Sequence, residues 1–563
     1  MNGAPSFLGT WSITLCEAEL LLIALIVCLR FSRRPPLAQG VLIPDFLRRL
    51  SRQKNLAAFS VCASTLAVRA MLIPILGVPA PHWNDEFSYL LAADTFAHGR
   101  LTNPTHPMWT HFESFHIIQK PTYMSMYPPG QGLALAVGQL LGNAWIGQWL
   151  ITGIMCAVIC WAFQAWLPAD WALFGATLVA LRLGILSYWM NSYLAASITA
   201  LGGAFVLGAL PRMLRRSRTS DAILMGLGLA ILANSRPYEG LIYSLPFGLV
   251  LGWCLIRRKK LLNRAVLLRT VLPLMLVLLI AGMATGYYYY RVTGSPFHMT
   301  YEMNRGTYAM APYFLFFTPR PEPHYSNQVM RDYYEWELRA FRDSQTLTGF
   351  LRSTAIKFRQ WWQLYLGPTL TLSLLALPWA VRDRKMRLPL LVLAFMILGS
   401  LVQTWTLPHY FAPATAVLYL VVVQCMRHLW RWQWRSRALG AALIFIIPCV
   451  LCGLIIVRVG AVVAGVRIEP RWPRGNLERV AVSHELSNMP GEQLVLVSYG
   501  SPHDPDWEWV WNRADIDGSK VVWARDMGDT TNQELLDYFR HRTVWHINGD
   551  APPHLDFYRA SQP

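Results

Sequence analysis

Two adjacent carboxylates, Asp85 and Glu86, stand directly after an apolar run of bilayer-compatible length. Asn84 in front of them is a favourable helix N-cap, residues 85–93 favour helix, and the Gly that follows His98 fits a helix end. A short helix is therefore predicted to begin at the acid pair. Two roles are possible for acids in that position. They could do no more than complement the positive end of the helix dipole, or one of them could act as a general base.

A single arginine, Arg236, lies between two apolar runs with almost no loop around it. An ionised residue at such depth usually faces a cavity or a partner. Pro237 and Gly240 favour an irregular helix end of the kind that lines a cavity. Two simpler interpretations remain open, since Arg236 could pair with Glu239 at the interface or extend to the lipid headgroups.

The composition is that of a multi-spanning membrane protein. Of the 563 residues, 54% are apolar and only 15% are charged, which is too hydrophobic for an ordinary soluble chain. The net charge of +18 comes from short basic clusters between apolar runs, as the positive-inside rule produces, and this argues against nucleic-acid binding. All nine cysteines fall in predicted spans, so we expect packing residues and no disulfide framework.

The apolar runs predict about twelve membrane-spanning helices. They lie near 11–30, 57–78, 145–165, 171–187, 193–211, 221–235, 240–256, 266–289, 368–381, 388–406, 411–427 and 438–457. A shorter apolar piece ending at Gly142 is interpreted as interfacial or re-entrant. Basic clusters at 33–54, 212–218, 257–260, 382–387 and 427–437 then all face the cytoplasm. The N-terminus, the loop 80–143, the polar segment 291–367 and the C-terminus are predicted to lie outside.

Three parts follow from this pattern: an N-terminal span and basic linker (1–56), a transmembrane domain (57–459) and a C-terminal domain (460–563). The last part carries fifteen acidic and ten basic residues, against seventeen acidic and forty basic before it. Strands at 494–498, 521–523 and 543–547 with a helix at 533–541 predict a small extracytoplasmic α/β domain.

Other polar clusters fall on the same outer face and imply an outward-facing cavity. They lie at 187–193, 234–240, 287–291 and 408–413. Five loop histidines are numerous enough to suggest a metal site, but their irregular spacing matches no ligand motif: His82, His98, His106, His111 and His116. We therefore expect no metal site and no cofactor, although a divalent cation stays open.

Several short motifs between residues 57 and 430 resemble the GT-C superfamily of membrane glycosyltransferases. They are the early outer-face acid pair, Gly99-Arg100-Leu101, Tyr127-Pro128-Pro129-Gly130, the run from Leu229 to Pro237, and His409-Tyr410-Phe411-Ala412-Pro413. More narrowly, they look like the bacterial branch with protein O-mannosyltransferases, aminoarabinose transferases and lipopolysaccharide-core galacturonosyltransferases. The extra N-terminal span departs from that pattern.

The resemblance implies an inner-membrane enzyme that moves a sugar from a polyprenyl phosphate to a lipid, glycan or protein acceptor on the periplasmic face. It puts the catalytic acid at Asp85, with Glu86 as its neighbour, and the contact to the carrier phosphate at Arg236. The remaining substrate-binding positions would be Lys120, Tyr127, Tyr238, Glu239, His409 and Tyr410.

Two other functions would use the same outer cavity. A transporter or flippase also places charges along its pathway, but typically near the midplane and between paired repeats, whereas the ionisable residues here gather on one face. A noncatalytic envelope-assembly protein whose C-terminal domain binds a partner is the third hypothesis.

Overall fold

The computed structural model describes residues 7–31, 44–257, 263–433, 438–466, 468–469, 475–500 and 503–558. Parts of three predicted basic clusters lie outside these ranges, namely Arg33, Arg34, Arg258, Lys259, Lys260, Arg435 and Arg437.

The described chain is mostly helical. The α-helices are Phe7–Phe31, Asp45–Arg52, Lys54–Met71, Ile73–Leu76, Asn84–Ala97, Pro129–Leu140, Ala144–Phe163, Ala169–Val179, Ala196–Arg215, Thr219–Ala233, Pro237–Arg257, Arg264–Val266, Leu272–Thr293, Thr300–Tyr308, Gln328–Ser344, Leu347–Trp361, Gly367–Thr371, Leu377–Arg382, Arg387–Leu401, Thr415–Leu429, Leu439–Val463, Leu477–Asn488 and Asp529–Tyr538. Turns of π-helix are Ala180–Gly184, Leu267–Val271 and Trp362–Leu366. Segments of 3₁₀-helix are Trp109–Phe112, Leu372–Ala376, Arg384–Met386, Pro408–Ala414 and Pro505–Trp507. The strands are Asn103–Pro104, Ile117–Ile118, Thr122–Ser125, Gln493–Ser498, Val521–Arg525, Thr543–Asn548 and Asp556–Phe557.

Seven helical segments of the described chain are long and apolar enough to cross a membrane. They are Ala144–Phe163, Ala196–Arg215, Pro237–Arg257, Arg264–Thr293, Leu347–Arg382, Pro408–Leu429 and Leu439–Val463. Thr219–Ala233 is apolar but shorter. Each of the seven overlaps a predicted span, whereas the total of twelve stays a prediction.

One predicted span forms part of a longer helical segment. The span expected at 368–381 belongs to a helical segment that already begins at Leu347, inside the segment predicted as an outer loop. The first part of this segment contains three basic residues, Arg352, Lys357 and Arg359, which lower its hydropathy, so the sequence pattern did not predict a helix there. Lys357 is nevertheless buried, and its ammonium donates to the carbonyls of Ser400 and Gln403 at 3.2 and 2.6 Å.

The predicted span at 171–187 is also interrupted. The α-helix there ends at Val179 and continues as a π-helical turn, Ala180–Gly184. Arg182 in this turn donates to a carboxylate oxygen of Glu17 in the N-terminal helix at 2.7 Å, and both side chains are buried. This ion pair fastens the N-terminal helix to the helical core, because a charge at such depth is stable only with a partner.

The acidic helix, Asn84–Ala97, begins one residue earlier than the sequence suggests. Trp83, rather than Asn84, occupies the N-cap position, and its backbone N–H donates to the Glu86 carboxylate at 2.9 Å. The predicted C-terminal end is confirmed, since His98 is the C-cap and Gly99 has a φ of 70°. A short antiparallel sheet, which we call the outer sheet, follows the helix, with Thr122–Ser125 between Asn103–Pro104 and Ile117–Ile118.

The C-terminal region has the predicted α/β character. Its three strands Gln493–Ser498, Val521–Arg525 and Thr543–Asn548 are parallel, with the first in the centre, and Asp556–Phe557 adds an antiparallel edge. The helix predicted at 533–541 is shifted and spans Asp529–Tyr538. A further helix, Leu477–Asn488, precedes the sheet.

This domain packs directly on the acidic helix. Trp511 stacks on Phe87 with ring centroids 4.7 Å apart and an interplanar angle of 4°. Asp94 accepts hydrogen bonds from the Arg513 guanidinium and the Ala514 backbone N–H, both at 2.9 Å. Burial opposes the ionisation of Asp94, but these two donors outweigh it and hold its pKa below the usual range. The C-terminal domain therefore fixes the helix that carries Asp85.

We expect Arg525→Ala to destabilise the C-terminal domain strongly. Arg525 is buried, pairs with the buried Glu508 at 2.6 Å and donates to the Glu113 carbonyl at 2.8 Å. Removing it leaves an unpaired buried carboxylate, which costs about 3–5 kcal/mol. Urea unfolding of the full-length protein in detergent, followed by tryptophan fluorescence, measures the loss.

The matched control for this prediction is Arg513→Ala at the same interface. The Arg513 side chain is 67% exposed, and the buried Asp94 keeps hydrogen bonds from the Ala514 N–H and the Gln139 amide without it, so we expect a loss of about 0–1 kcal/mol. Equal losses of unfolding free energy in the two variants would contradict the prediction.

Candidate active site

Four segments meet around Asp85: the start of the acidic helix, the outer sheet with the turn after it, the turn at Arg236, and the 3₁₀ segment Pro408–Ala414. A close backbone contact joins two of them, because the Gly130 N–H donates to the Asn234 carbonyl at 2.7 Å. A Cβ at Gly130 would lie 2.5 Å from that carbonyl oxygen, so only glycine fits there. This close contact places the segment Tyr127-Pro128-Pro129-Gly130 next to the turn that carries Arg236.

Asp85 is buried and tightly held. Its Oδ1 lies 2.7 Å from Nδ1 of His116, and only 8% of the residue is exposed. Burial opposes ionisation, yet the charge and hydrogen bond of His116, a hydrogen bond from Tyr127 and the charge of Arg236 together outweigh it. The pKa of Asp85 is therefore below its usual range, and the carboxylate is ionised.

His116 joins Asp85 to two tyrosines. Its Nε2 lies 3.1 Å from the Tyr333 hydroxyl, and its Nδ1 lies 3.3 Å from the Tyr127 hydroxyl. The backbone of His116 has a φ of 60°, in the left-handed region that few non-glycine residues adopt. Its carbonyl accepts a hydrogen bond from the Ser88 hydroxyl at 2.7 Å, which holds this conformation.

Glu86 faces the backbone rather than the site. One carboxylate oxygen accepts from the N–H groups of His82 and Trp83 at 2.8 and 2.9 Å, and the other accepts from the Tyr193 N–H at 2.8 Å. Burial raises the pKa of Glu86 to about 7, against the effect of these donors. Both oxygens are engaged inside the protein, so Glu86 ties the start of the acidic helix to the segment before Ala196–Arg215.

Arg236 is buried with unused donors. Its guanidinium carbon lies 3.7 Å from the centroid of the Tyr410 ring. Among the described residues, no acceptor pairs with its Nε or Nη2, although both atoms are buried. Oε1 of Glu239 instead accepts from the Tyr313 hydroxyl at 3.1 Å and the Gln403 amide at 2.8 Å. The predicted alternative, in which Glu239 neutralises Arg236 by direct pairing, has no support in these contacts.

Tyrosine rings enclose the space between Asp85 and Arg236. Tyr89 stacks on Tyr127 with centroids 4.5 Å apart, and Tyr301 lies 6.4 Å from Tyr127 and 5.8 Å from Tyr313. The Tyr89 hydroxyl has no hydrogen-bond partner among the described residues. Burial raises the pKa of Tyr89 well above its usual range, so its hydroxyl keeps its proton and can donate.

His409 completes this side of the site. Its Nδ1 lies 3.4 Å from the Tyr188 hydroxyl, and its ring centroid is 5.0 Å from that of Tyr410. Its Nε2 is buried without a partner among the described residues. Unpartnered buried polar groups are rare and costly, so this set indicates a polar ligand.

The structure brings together five of the predicted site residues: Asp85, Tyr127, Arg236, His409 and Tyr410. Two others lie elsewhere. Lys120 is exposed, with its ammonium 4.2 Å from the centroid of the Trp109 ring, at a separate cavity of about 170 Å³ beside Glu113. Tyr238 turns toward the helix Arg387–Leu401, where its hydroxyl donates to the Gly399 carbonyl at 2.9 Å.

Several residues of the site were not predicted, among them Tyr89 and His116. Tyr89 could have been found, because residues four apart on a helix share a face and Tyr89 follows Asp85 by four. His116 carried no such signal, since its place beside Asp85 results from the fold of the outer loop. Three of the other four loop histidines have separate partners: Asp94 for His98, Asp517 for His106 and the Arg525 carbonyl for His111. In the described part of the chain, no three metal-ligating side chains gather in one group.

No protein-family model and no curated protein matches this sequence. Solved structures of the oligosaccharyltransferase of the archaeon Archaeoglobus fulgidus are similar over 87% of this chain and 69% of theirs. One, tethered to an acceptor peptide, has a TM-score of 0.43 and 11% identity. Another, AglB with an inhibitory peptide and a dolichol-phosphate, has a TM-score of 0.44 and 10% identity. Similarity at this level assigns neither family nor activity to the chain.

Proposed function

We propose that this protein is a membrane glycosyltransferase of the GT-C type. It takes a sugar from a polyprenyl-phosphate carrier and passes it to a lipid, glycan or protein hydroxyl at the periplasmic face of the bacterial inner membrane. Asp85 is the general base for the acceptor hydroxyl, and Arg236 receives the carrier phosphate.

The observation that carries this proposal is that one buried site holds both an ionised carboxylate and a guanidinium with unused hydrogen-bond donors. Buried donors without acceptors are unfavourable, so a guanidinium with two unused nitrogen atoms, Nε and Nη2, supports an anionic ligand. Guanidinium groups bind phosphate particularly well, because their planar donor pattern matches its oxygens. The Tyr89 hydroxyl supplies another free donor nearby.

The proposed reaction needs only what this site offers. The acceptor oxygen attacks the anomeric carbon while its proton passes to Asp85. The bond between that carbon and the phosphate oxygen breaks, and its electron pair stays on the phosphate, whose charge Arg236 stabilises. Attack from the side opposite the leaving phosphate inverts the sugar configuration. Glu86 takes no proton in this scheme and holds the backbone around Asp85.

A transfer assay tests the function. Purified protein is incubated with cell envelope and a panel of radiolabelled polyprenyl-phosphate sugars, and the label is followed from the lipid into other fractions. We expect transfer with the wild type and about 10²- to 10⁴-fold less with Asp85→Asn. Label that crosses a vesicle membrane still attached to its lipid would support transport instead. No transfer from any donor would refute the proposed activity.

The periplasmic orientation has a test of its own. Reporter domains fused after residues 110, 330 and 520 should all be active outside the cytoplasm, because the cytoplasmic basic clusters fix the opposite face. A cytoplasmic signal from any of the three fusions would exclude the orientation.

A further inference from the structure

The contact between Asp85 and His116 has a feature that a simple ion pair does not require. The imidazole approaches one carboxylate oxygen at 2.7 Å, while its other nitrogen pairs with Tyr333 on the helix Gln328–Ser344. A ring held at both nitrogens cannot rotate away from the carboxylate. Both of its neighbours come from segments far apart in the sequence, so the ring bridges the acidic helix and the second outer segment.

The backbone of His116 is held as firmly as its ring. The Ser88 hydroxyl donates to the His116 carbonyl at 2.7 Å and lies 2.7 Å from the Ser125 hydroxyl, and the Met126 N–H donates to the same carbonyl at 3.1 Å. Ser88 follows Asp85 by three residues and so lies on the same face of the acidic helix. One helix face therefore holds both the carboxylate and the residue that contacts it.

A left-handed backbone at a non-glycine residue is uncommon and persists only where its surroundings enforce it. At His116 the conformation is held by the hydrogen bonds to its carbonyl from Ser88 and Met126 and by the contact of its ring with Asp85. A loop residue without such contacts would adopt a more favourable backbone conformation. The strained conformation, the two ring contacts and the clamped carbonyl all serve the same result, which is a fixed N–H aimed at the carboxylate.

We propose that His116 is the positioning residue for Asp85: its Nδ1–H fixes one side of the carboxylate and keeps it ionised, so that the remaining lone pairs are open to the acceptor hydroxyl. This inference rests on the proposed function. A carboxylate offers about four lone-pair sites, so the contacts with His116 and Tyr127 leave about two for the acceptor hydroxyl.

Other titratable groups face Asp85 from every element around it. They are Glu86 and Tyr89 on its own helix, His116 and Tyr127 beside the outer sheet, Tyr333 on Gln328–Ser344, Arg236 in its turn, and His409 and Tyr410 on the 3₁₀ segment. The charge of Asp85 opposes the ionisation of Glu86, and the tyrosines are neutral. Arg236 supports ionisation but is the group that the carrier phosphate would neutralise. His116 is then the partner that keeps Asp85 charged when donor is bound.

The expected effect of removing His116 is a shift of the acid limb of turnover. An opposite charge at this distance lowers a carboxyl pKa by about 1–3 units. Because His116 lowers the pKa of Asp85, His116→Ala raises it, and Asp85 becomes protonated at a higher pH. The acid limb should therefore move up by about 1–3 pH units, with donor affinity unchanged. Turnover at neutral pH should fall as well, because the Asp85 carboxylate loses the contact that holds it in place.

Two conservative variants separate positioning from mere packing. His116→Asn places an amide N–H near the position of Nδ1, and asparagine tolerates the left-handed backbone. It should restore turnover at neutral pH to within a few-fold of the wild type, while the acid limb stays shifted because the amide carries no charge. His116→Gln places its amide nearer the position of Nε2 and should resemble His116→Ala. Tyr333→Phe removes the contact at Nε2 but keeps the imidazole beside Asp85, so its acid limb should stay in place and its turnover should fall less than that of His116→Ala.

The decisive measurement does not depend on transfer. Infrared difference spectra between wild type and Asp85→Asn give the protonation of Asp85 as a function of pH, and the same difference is measured in the His116→Ala background. A higher titration midpoint in that background supports the inference. An equal midpoint, or no rescue of turnover by His116→Asn, would overturn it. Absence of transfer by the wild type refutes the proposed function, whereas the infrared titration still decides whether His116 controls Asp85.

Discussion

Asp85→Asn is expected to reduce turnover by about 10²- to 10⁴-fold, the range that general-base catalysis contributes. The amide is nearly isosteric with the carboxylate but cannot take a proton from the acceptor. Donor affinity should survive, because the carrier phosphate is assigned to Arg236. Turnover and donor affinity are measured on the same preparation in nanodiscs, with each rate given per folded molecule.

Glu86→Gln is the control on the neighbouring position. Its carboxylate accepts three backbone N–H groups, so the change should lower stability and cost less turnover per folded molecule. Near-normal turnover in Asp85→Asn would exclude Asp85 as the base. A larger loss in Glu86→Gln, after correction for folding, would transfer that role to Glu86.

Arg236→Ala is expected to weaken the use of the donor by about ten- to a hundredfold. A hydrogen bond to a charged group contributes about 1.5–3 kcal/mol, which corresponds to this range. The fold should tolerate the change, because among the described residues Nε and Nη2 of Arg236 have no partner that would be left unsatisfied. Binding of undecaprenyl phosphate, measured by native mass spectrometry, reports the effect without requiring transfer.

Arg291→Ala provides the matched control for charge. Arg291 is exposed near the end of the helix Leu272–Thr293 and contacts Tyr287, so its removal takes away one positive charge outside the site. It should leave binding of the lipid phosphate unchanged. Retained phosphate binding by a well-folded Arg236→Ala protein would separate Arg236 from the carrier and leave its charge to the interaction with Glu239.

Local patterns predicted much of the helical architecture. Long apolar runs predicted the seven helices that can cross a membrane, because burial in lipid demands apolar residues over a fixed length. The same pattern did not predict the first part of Leu347–Arg382, where three basic residues lower the hydropathy of the helical segment. Lys357 shows why a basic residue is tolerated in this helical segment: its ammonium donates hydrogen bonds to the Ser400 and Gln403 carbonyls inside the protein.

Some residues of the candidate site were likewise predictable from the sequence, and others were not. The sequence by itself identified Asp85 at a helix start and Arg236 between apolar runs, because both signals depend on residues adjacent in the chain. It also determined the α/β character of the C-terminal region through short apolar strands. Lys120 and Tyr238 were predicted site residues that the fold places elsewhere.

Only the tertiary structure decided the partners of these groups. His116 meets Asp85, Glu239 turns to Tyr313 and Gln403, and the C-terminal domain fastens the acidic helix through Asp94. Each of these contacts joins residues far apart in the sequence. Hydrophobic periodicity and capping preferences act within a few residues, whereas the choice among distant polar partners depends on how packed helices, strands and turns bring them within hydrogen-bond distance.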